Sequence, residues 1–161
     1  VKIALGSDER THLTDFLIEE LQKRGHQVET FGPLADQAQD WPEVSRAVAE
    51  CVARGQADEG IVCCWTGTGA SIAANKVPGV RAALCHDAET ARGARIWNRA
   101  NVLALSLRAT SEPIAKEILD AWFGTPFVSE TSGDAHTWEF VRRTLQQLDA
   151  LEQQYTSPPE H

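Results

Sequence analysis

The chain has 161 residues, 42% of them hydrophobic and 24% charged, a size and balance that fit one globular unit around a single core and leave no room for a second ordinary domain. Its net charge of −8 excludes a surface that tracks nucleic-acid phosphates, which needs clustered Lys and Arg, so any anionic ligand must be held locally. No apolar run approaches the roughly 18 residues of a membrane span, and no membrane partner is expected.

Residues 1–5 read as a short apolar strand giving way to Gly6, Ser7 and Asp8, too short for a leader peptide. Leu13, Phe16, Leu17 and Leu21 form the stripe of a first helix that Gly25 stops. A strand over 27–31 follows. Asp40, Pro42 in the first turn and Glu43 mark the start of a helix whose stripe is Val44, Ala47, Val48, Cys51 and Val52, ended by Gly55. The strand over 60–64 is a continuous apolar run, the pattern of a strand buried on both faces. A short helix over 71–76 is stopped by Pro78 and Gly79, and a strand spans 81–85. Asp87 caps a helix running to about Trp97. A strand over 102–105 and a helix opened by Ser111 and Pro113 come next. The one long loop is 127–135; the last helix, 137–155, carries Trp138, Val141, Leu145, Leu148 and Tyr155 toward its own domain or a partner. Residues 157–161 read as a loose tail. Strands alternating with helices predict an α/β fold with a five-stranded parallel sheet.

The four cysteines, Cys51, Cys63, Cys64 and Cys85, lack C-x-x-C spacing, and neighbours such as Cys63 and Cys64 rarely pair with each other. No metal or cofactor is expected from them, and a reducing, cytoplasmic compartment is the reading they favour. Cys51 and Cys85 read as core. His12 and His26 read as surface residues and His161 as part of the tail, whereas His86 reads as a structural hydrogen-bonding group at a strand end. Trp122 and Trp138 read as packing residues.

The segment with chemistry in it is Cys64-Trp65-Thr66-Gly67-Thr68-Gly69-Ala70-Ser71, which leaves a buried strand and enters a helix. In open α/β sheets ligands bind at the carboxyl ends of strands. Gly67 and Gly69 let the backbone turn several N–H groups to one point, and the helix adds its positive end, so the loop is an anion hole with a thiol at its rim. A thiolate there is stabilised by the same partial charges. Four other readings compete. A P-loop needs Gly-Lys-Ser/Thr, which is absent. A dinucleotide fingerprint wants Gly or Ala where Ile72 stands, although Asp87 sits where a ribose-binding acid belongs. A cysteine phosphatase needs an arginine after the glycines. A tight turn beside an inert cysteine is the fourth.

From Thr66 to Gly69, and on through Ser71-Ile72-Ala73-Ala74-Asn75-Lys76-Val77-Pro78-Gly79-Val80-Arg81-Ala82-Ala83-Leu84-Cys85-His86-Asp87, the chain resembles the ribose-5-phosphate isomerase B and galactose-6-phosphate isomerase family. The resemblance takes in Lys2-Ile3-Ala4-Leu5-Gly6-Ser7-Asp8, Asp40-Trp41-Pro42 and Ala100-Asn101-Val102-Leu103, and fades after about residue 123. It implies a Rossmann-like three-layer α/β/α sandwich over a single sugar-phosphate isomerase domain, 1–156. It implies a homodimer with shared active sites and cofactor-free aldose-ketose isomerisation of a sugar phosphate. Further assembly is left open. By the same resemblance Cys64 is the base and residues 65–69, with Thr66 among them, surround the enediolate. Asp8 is an acid on the sugar hydroxyls, Asn98 a substrate-binding amide, and Arg108 a phosphate ligand from the partner subunit. Ser71 and Trp41 complete the pocket.

The chain departs from the family pattern at four places. Glu9 replaces a histidine, with Arg10 beside it. Trp97 replaces the ring-opening histidine. The family's Arg-His-x-x-Arg set reads Ala135-His136-Thr137-Trp138-Glu139, leaving His136. Trp41 stands where tyrosine is common. Drift, with Arg10, Arg142 or Arg143 taking over phosphate contacts, is one reading; a substrate already in open-chain form is another; a catalytically silent binding or regulatory homologue is the third.

Overall fold

The computed structural model describes residues 1–156, and the tail read at 157–161 lies outside the described residues. Five strands, β1 (Lys2–Ser7), β2 (Gln27–Phe31), β3 (Glu59–Cys64), β4 (Ala82–Leu84) and β5 (Val102–Ser106), form one parallel sheet in the order β2-β1-β3-β5-β4. The helices are α1 (His12–Lys23), α2 (Trp41–Ala53), α3 (Thr68–Asn75), α4 (Ala88–Asn98), α5 (Glu112–Gly124) and α6 (Ala135–Thr156). Among the described residues no helix is long and apolar enough to cross a membrane.

Strand alternation builds two unlike cores. Ile3, Leu5, Ile61, Cys63, Leu103 and Leu105 point to the face covered by α1, α4 and α5, where Leu17, Leu21, Ile118, Leu119 and Trp122 are fully buried. Ala4, Val62, Cys64, Val102 and Ala104 point to the other face, covered by α2 and α3. That second core is lined with small residues because α2 lies close to the sheet: a β-carbon at Gly6 would meet Val48 at 2.7 Å, and one at Gly60 would meet it at 2.9 Å.

The elements follow the sequence reading with local differences. β1 runs on to Ser7, two residues past the expected end, and β4 shrinks to three residues. α3 begins at Thr68 and α6 at Ala135, both earlier than predicted. A short 3₁₀ turn, Gly32–Ala35, was not anticipated. α1 is capped by a reciprocal Thr11–Thr14 pair, whereas Asp40 caps α2 through its carbonyl, which accepts from Glu43 and Val44, and not through its side chain. Asp87 caps α4 as predicted, accepting the Thr90 N–H.

Trp122 packs as expected but also joins a buried ionic group: its indole N–H and Arg95 both donate to Glu59, and the Arg95 guanidinium lies over the Trp122 and Phe127 rings. His12 is a surface residue paired with Glu112, and His26 packs against Phe123. His86 is exposed and has no side-chain hydrogen bond among the described residues, so the structural bond expected of it is not there.

Candidate active site

Cys64 is the last residue of β3, the central strand, with Ser106 of β5 in register beside it. Its neighbour Cys63 points into the α1/α4/α5 core, is fully buried, and has its thiol pushed up to about 12 by burial and by the adjacent Cys64 and Asp8. Cys64 points the other way, keeps 5% of its surface, and its Sγ accepts the Ala70 N–H at 3.4 Å. The sulfur therefore faces the first turn of α3, where helix N–H groups gather.

The intervening loop is held in shape from both sides. Gly67 caps α3 with φ 76°, a left-handed conformation, and a β-carbon there would meet Leu84 at 2.6 Å and the Leu105 carbonyl carbon at 2.9 Å. Its N–H donates to the Cys64 carbonyl at 3.2 Å. The turn after β5 clamps the loop: Leu107 N–H donates to the Cys64 carbonyl at 3.0 Å, and the Trp65 carbonyl accepts from Arg108 N–H at 3.1 Å and from the Ser106 hydroxyl at 3.0 Å. Thr68 and Gly69 open α3, so no helical carbonyl stands behind their N–H groups. The Thr66 and Thr68 hydroxyls share a hydrogen bond of 2.6 Å. Ser71 donates its N–H to the Gly67 carbonyl at 3.0 Å, and the Trp41 ring, at the start of α2, lies against Gly69. Trp65 is exposed.

One strand over, Asp8 and Glu9 follow the end of β1. The Asp8 carboxyl is pushed above its ordinary value, first by burial and then by the negative charges of Glu9 and Asp40, against the pull of its own backbone N–H. Arg10, expected to offset Glu9, instead gives its Nε–H to Asp15 at 2.9 Å. Arg142 pairs with Glu139, and Arg143 lies over Phe140. Arg108, at the end of β5, has no carboxylate partner among the described residues.

Three expected residues lie elsewhere. α4 follows the C-terminal end of β4 and runs back, so over its 11 residues it carries Trp97 and Asn98 about 16 Å toward the opposite end of the sheet. His136, in the first turn of α6, belongs to that end too: two residues on, Trp138 lies 5.8 Å from the Arg99 guanidinium, and Phe140 meets Trp97 edge-on at 5.9 Å. A cavity of about 760 Å³ is found there, lined by Asn75, Lys76, Arg81, Asn98, Leu148 and Tyr155 among others. Within one chain, then, Cys64, the glycine loop, Trp41, Asp8, Glu9, Arg10 and Arg108 share one end of the sheet, and Trp97, Asn98 and His136 share the other.

Sequence reasoning passed over Asp40, read only as a helix start, Ser106, which fastens the loop, and Asp15, which takes Arg10. The first was within reach, since it adjoins Trp41. Among the described residues no group of three or more His, Cys, Asp and Glu could hold a metal ion.

The family described as Ribose/Galactose Isomerase matches residues 3–137. The chain is 39% identical over 127 residues to ribose-5-phosphate isomerase B of Escherichia coli (strain K12), covering 78% of this chain and 85% of that protein. It is 37% identical over 130 residues to the D-erythrulose-4-phosphate isomerase of Pectobacterium atrosepticum, covering 79% and 85%. Among solved structures, ribose-5-phosphate isomerase B of Clostridium thermocellum matches with a TM-score of 0.84 at 38% identity, over 97% of this chain and all of that one.

Proposed function

Because the chain belongs to the ribose/galactose isomerase family, we propose that it interconverts the aldose and ketose forms of a small sugar phosphate, with Cys64 as the base. The observation that carries this is the Cys64 Sγ lying 3.4 Å from the Ala70 N–H at the mouth of α3. A sulfur so placed is nucleophilic and basic where negative charge is tolerated.

The chemistry needs both halves of the loop. A proton beside a carbonyl is weakly acidic, and removing it makes an enediolate whose oxygen must be stabilised as it forms. Each well-aimed donor is worth about 3 to 4 kcal/mol. Cys64 takes the proton from one of C1 and C2 and returns it to the other. The N–H groups of residues 65–69, with the Thr66 hydroxyl, receive the oxyanion, and Ser71 and Trp41 wall the pocket. Asp8, whose carboxyl burial pushes above its ordinary value, is the acid that contacts the sugar hydroxyls. No cofactor or metal is invoked.

The residues at the far end of the sheet enter through a second copy. A twofold axis perpendicular to the strands sets opposite ends of two chains side by side, and with such an axis Trp97, Asn98 and His136 of one copy complete the site around Cys64 of the other. Arg108, two residues past β5 and hydrogen-bonded through its N–H to Trp65 of its own chain, binds the phosphate within that chain's site rather than from the partner subunit. Residues 1–156 act as one domain, and the reducing interior of a cell suits four free thiols.

Trp97 favours a substrate that needs no ring opening, because indole donates a hydrogen bond but cannot shuttle a proton near neutral pH. A four-carbon sugar phosphate, whose phosphorylated end cannot close a five-membered ring, fits. Relatives named for each substrate lie at similar identity, 39% for ribose-5-phosphate isomerase B and 37% for D-erythrulose-4-phosphate isomerase, so it is Trp97 that argues for the open-chain one. Incubation in deuterated water with ribose 5-phosphate and erythrulose 4-phosphate tests both levels. Exchange of carbon-bound hydrogen that disappears in Cys64→Ala is expected, faster for the four-carbon substrate. Absence of exchange would overturn the isomerase reading, and preference for the pentose would overturn the open-chain substrate.

A further inference from the structure

α4 ends on a residue that bears two local costs. Arg99 closes the helix in the left-handed conformation, φ 46° and ψ 43°, a place that Gly or Asn fills with less crowding. Its Nε–H is buried without an acceptor among the described residues, where a buried donor is ordinarily paired. Asn at this position would remove both costs.

What the longer side chain gives is reach. Its guanidinium lies 5.8 Å from the centres of both the Phe127 and the Trp138 rings, and Nη2 donates to the Val128 carbonyl at 3.0 Å. One turn earlier on α4, the Arg95 guanidinium lies 4.0 Å from the same Phe127 ring and is held by Glu59. Two arginines of α4 thus clasp the segment that leads from α5 into α6. The backbone under Arg99 is fixed as well: its carbonyl accepts from Arg81 Nε at 3.1 Å, and the next N–H, of Ala100, donates to the Ala94 carbonyl at 3.1 Å.

The clasp matters because α6 has little else to seat its first turns. Val141 is the helix's one buried residue among those described. Asp134 accepts the Thr137 N–H at 2.9 Å, which shapes the turn without attaching it to the rest of the fold. Across to α4 run the Arg99 contact with Trp138 and the edge-on packing of Trp97 with Phe140 at 5.9 Å. Asn98 immediately precedes Arg99, and His136 stands two residues before Trp138. One guanidinium therefore ties together the two segments that carry them.

Resting on the shared-site reading above, we propose that Arg99 is a positioning residue: it fixes His136 at a set spacing from Trp97 and Asn98, so that the three meet the substrate as one preformed surface. The planar guanidinium is required, because it reaches two aromatic rings and a carbonyl at once, which a compact ammonium does not. The backbone strain and the orphan N–H persist because this connection outweighs them.

The test compares the parent with Arg99→Asn, Arg99→Lys and Arg92→Ala, the last removing a half-exposed cation paired with Glu89 two turns earlier on α4. Hydrogen–deuterium exchange is followed by mass spectrometry over residues 124–141, beside kinetics on erythrulose 4-phosphate and ribose 5-phosphate and a thermal melt. In Arg99→Asn, exchange over that segment is expected to quicken by about tenfold, while the melting midpoint stays near the parent's because Asn tolerates the left-handed backbone. KM should rise by about three- to tenfold, the worth of a loosened hydrogen bond, with kcat little changed, since Cys64 and its loop are untouched. Arg99→Lys should follow Arg99→Asn, and Arg92→Ala the parent. Unaltered exchange in Arg99→Asn, parent behaviour in Arg99→Lys, or faster exchange with KM unmoved overturns the proposal. Exchange is read without turnover, so the two levels separate: an inactive parent fails the isomerase reading, and an active parent matched by Arg99→Asn in every readout fails this inference alone.

Discussion

The six-membered ring of Trp41 lies so close to Gly69 that a β-carbon at position 69 would sit 3.0 Å from its Cε3 and 3.1 Å from its Cδ2. The contact joins the start of α2 to the start of α3 beside the glycine loop.

Gly69→Ala should therefore push the indole outward and disturb the amides around it. The half-exposed ring has room to yield, so the fold loses about 1 kcal/mol while kcat/KM falls about tenfold or more. Paired urea denaturation and steady-state kinetics check the split. Gly67→Ala, which adds both a left-handed backbone and a clash with Leu105, should cost clearly more stability.

The two adjacent thiols should separate by kind of damage. Cys64→Ala lowers kcat by about 10² to 10⁴ with the unfolding midpoint little changed, the range for losing a positioned base. Cys63→Ala, which empties space in the larger core, costs about 1 to 2 kcal/mol and keeps kcat. Circular-dichroism melts beside assays of both variants decide it; a kcat loss confined to Cys63→Ala would reverse the assignment.

Asp8 makes stability depend on pH in an unusual direction. Its carboxyl is raised in the folded chain, so the native state holds the proton more tightly than the unfolded one. Its destabilising effect is absent below the ordinary value of 3.8, grows as pH rises through the folded value and is full above it. Asp8→Asn is thus expected to be more stable than the parent at neutral pH and to lose that advantage toward pH 3.8. Urea denaturation of both proteins across this range measures it, and a parent that stays the more stable at neutral pH would refute it.

Glu59 neutralises Arg95, a cation only 6% exposed that also donates to the Ala100 carbonyl at 2.9 Å. Glu59→Gln leaves that charge uncompensated and should cost about 3 kcal/mol, as breaking a buried pair does. Because the pair sits at the end of the sheet away from Cys64, the folded variant should retain its Cys64-loop geometry. The ¹H–¹⁵N shifts of residues 66–70 provide the check.

Two inactive variants should rescue each other. Mixed dimers of Cys64→Ala and Asn98→Ala hold one site in which both residues are native, so co-refolding equal amounts restores about a quarter of parent activity if sites are shared across a twofold axis. Failure to recover activity, with mixed dimers present by mass spectrometry, would count against the shared site.

The order of elements was legible because buried strands such as Ile61-Val62-Cys63-Cys64 and punctuation at Gly25, Gly55 and Pro78 are local signals. The opposite facing of Cys63 and Cys64 was legible too, since strand alternation sets it. The 3₁₀ turn at Gly32 was not: there the backbone packs so closely that a β-carbon would meet the side chain of Val44 and the carbonyl of Ser7, both distant in sequence. The turning of Arg10 toward Asp15 depends on where α1 begins, which a Thr11–Thr14 cap decides without the usual Glu or Gln at its third position. The remoteness of Trp97 and Asn98 from Cys64 follows from the direction of a crossover helix, a property of connection and not of composition.

Parallel pairing of β3 on both edges has one more implication. Sliding that strand by a single residue would present Cys63 to the glycine loop and bury Cys64 among leucines, leaving the composition of the chain intact while exchanging reagent for ballast. Which sulfur meets the glycine loop is thus stored in the register of the backbone, and an indel of one residue within β3 would turn the other thiol toward that loop.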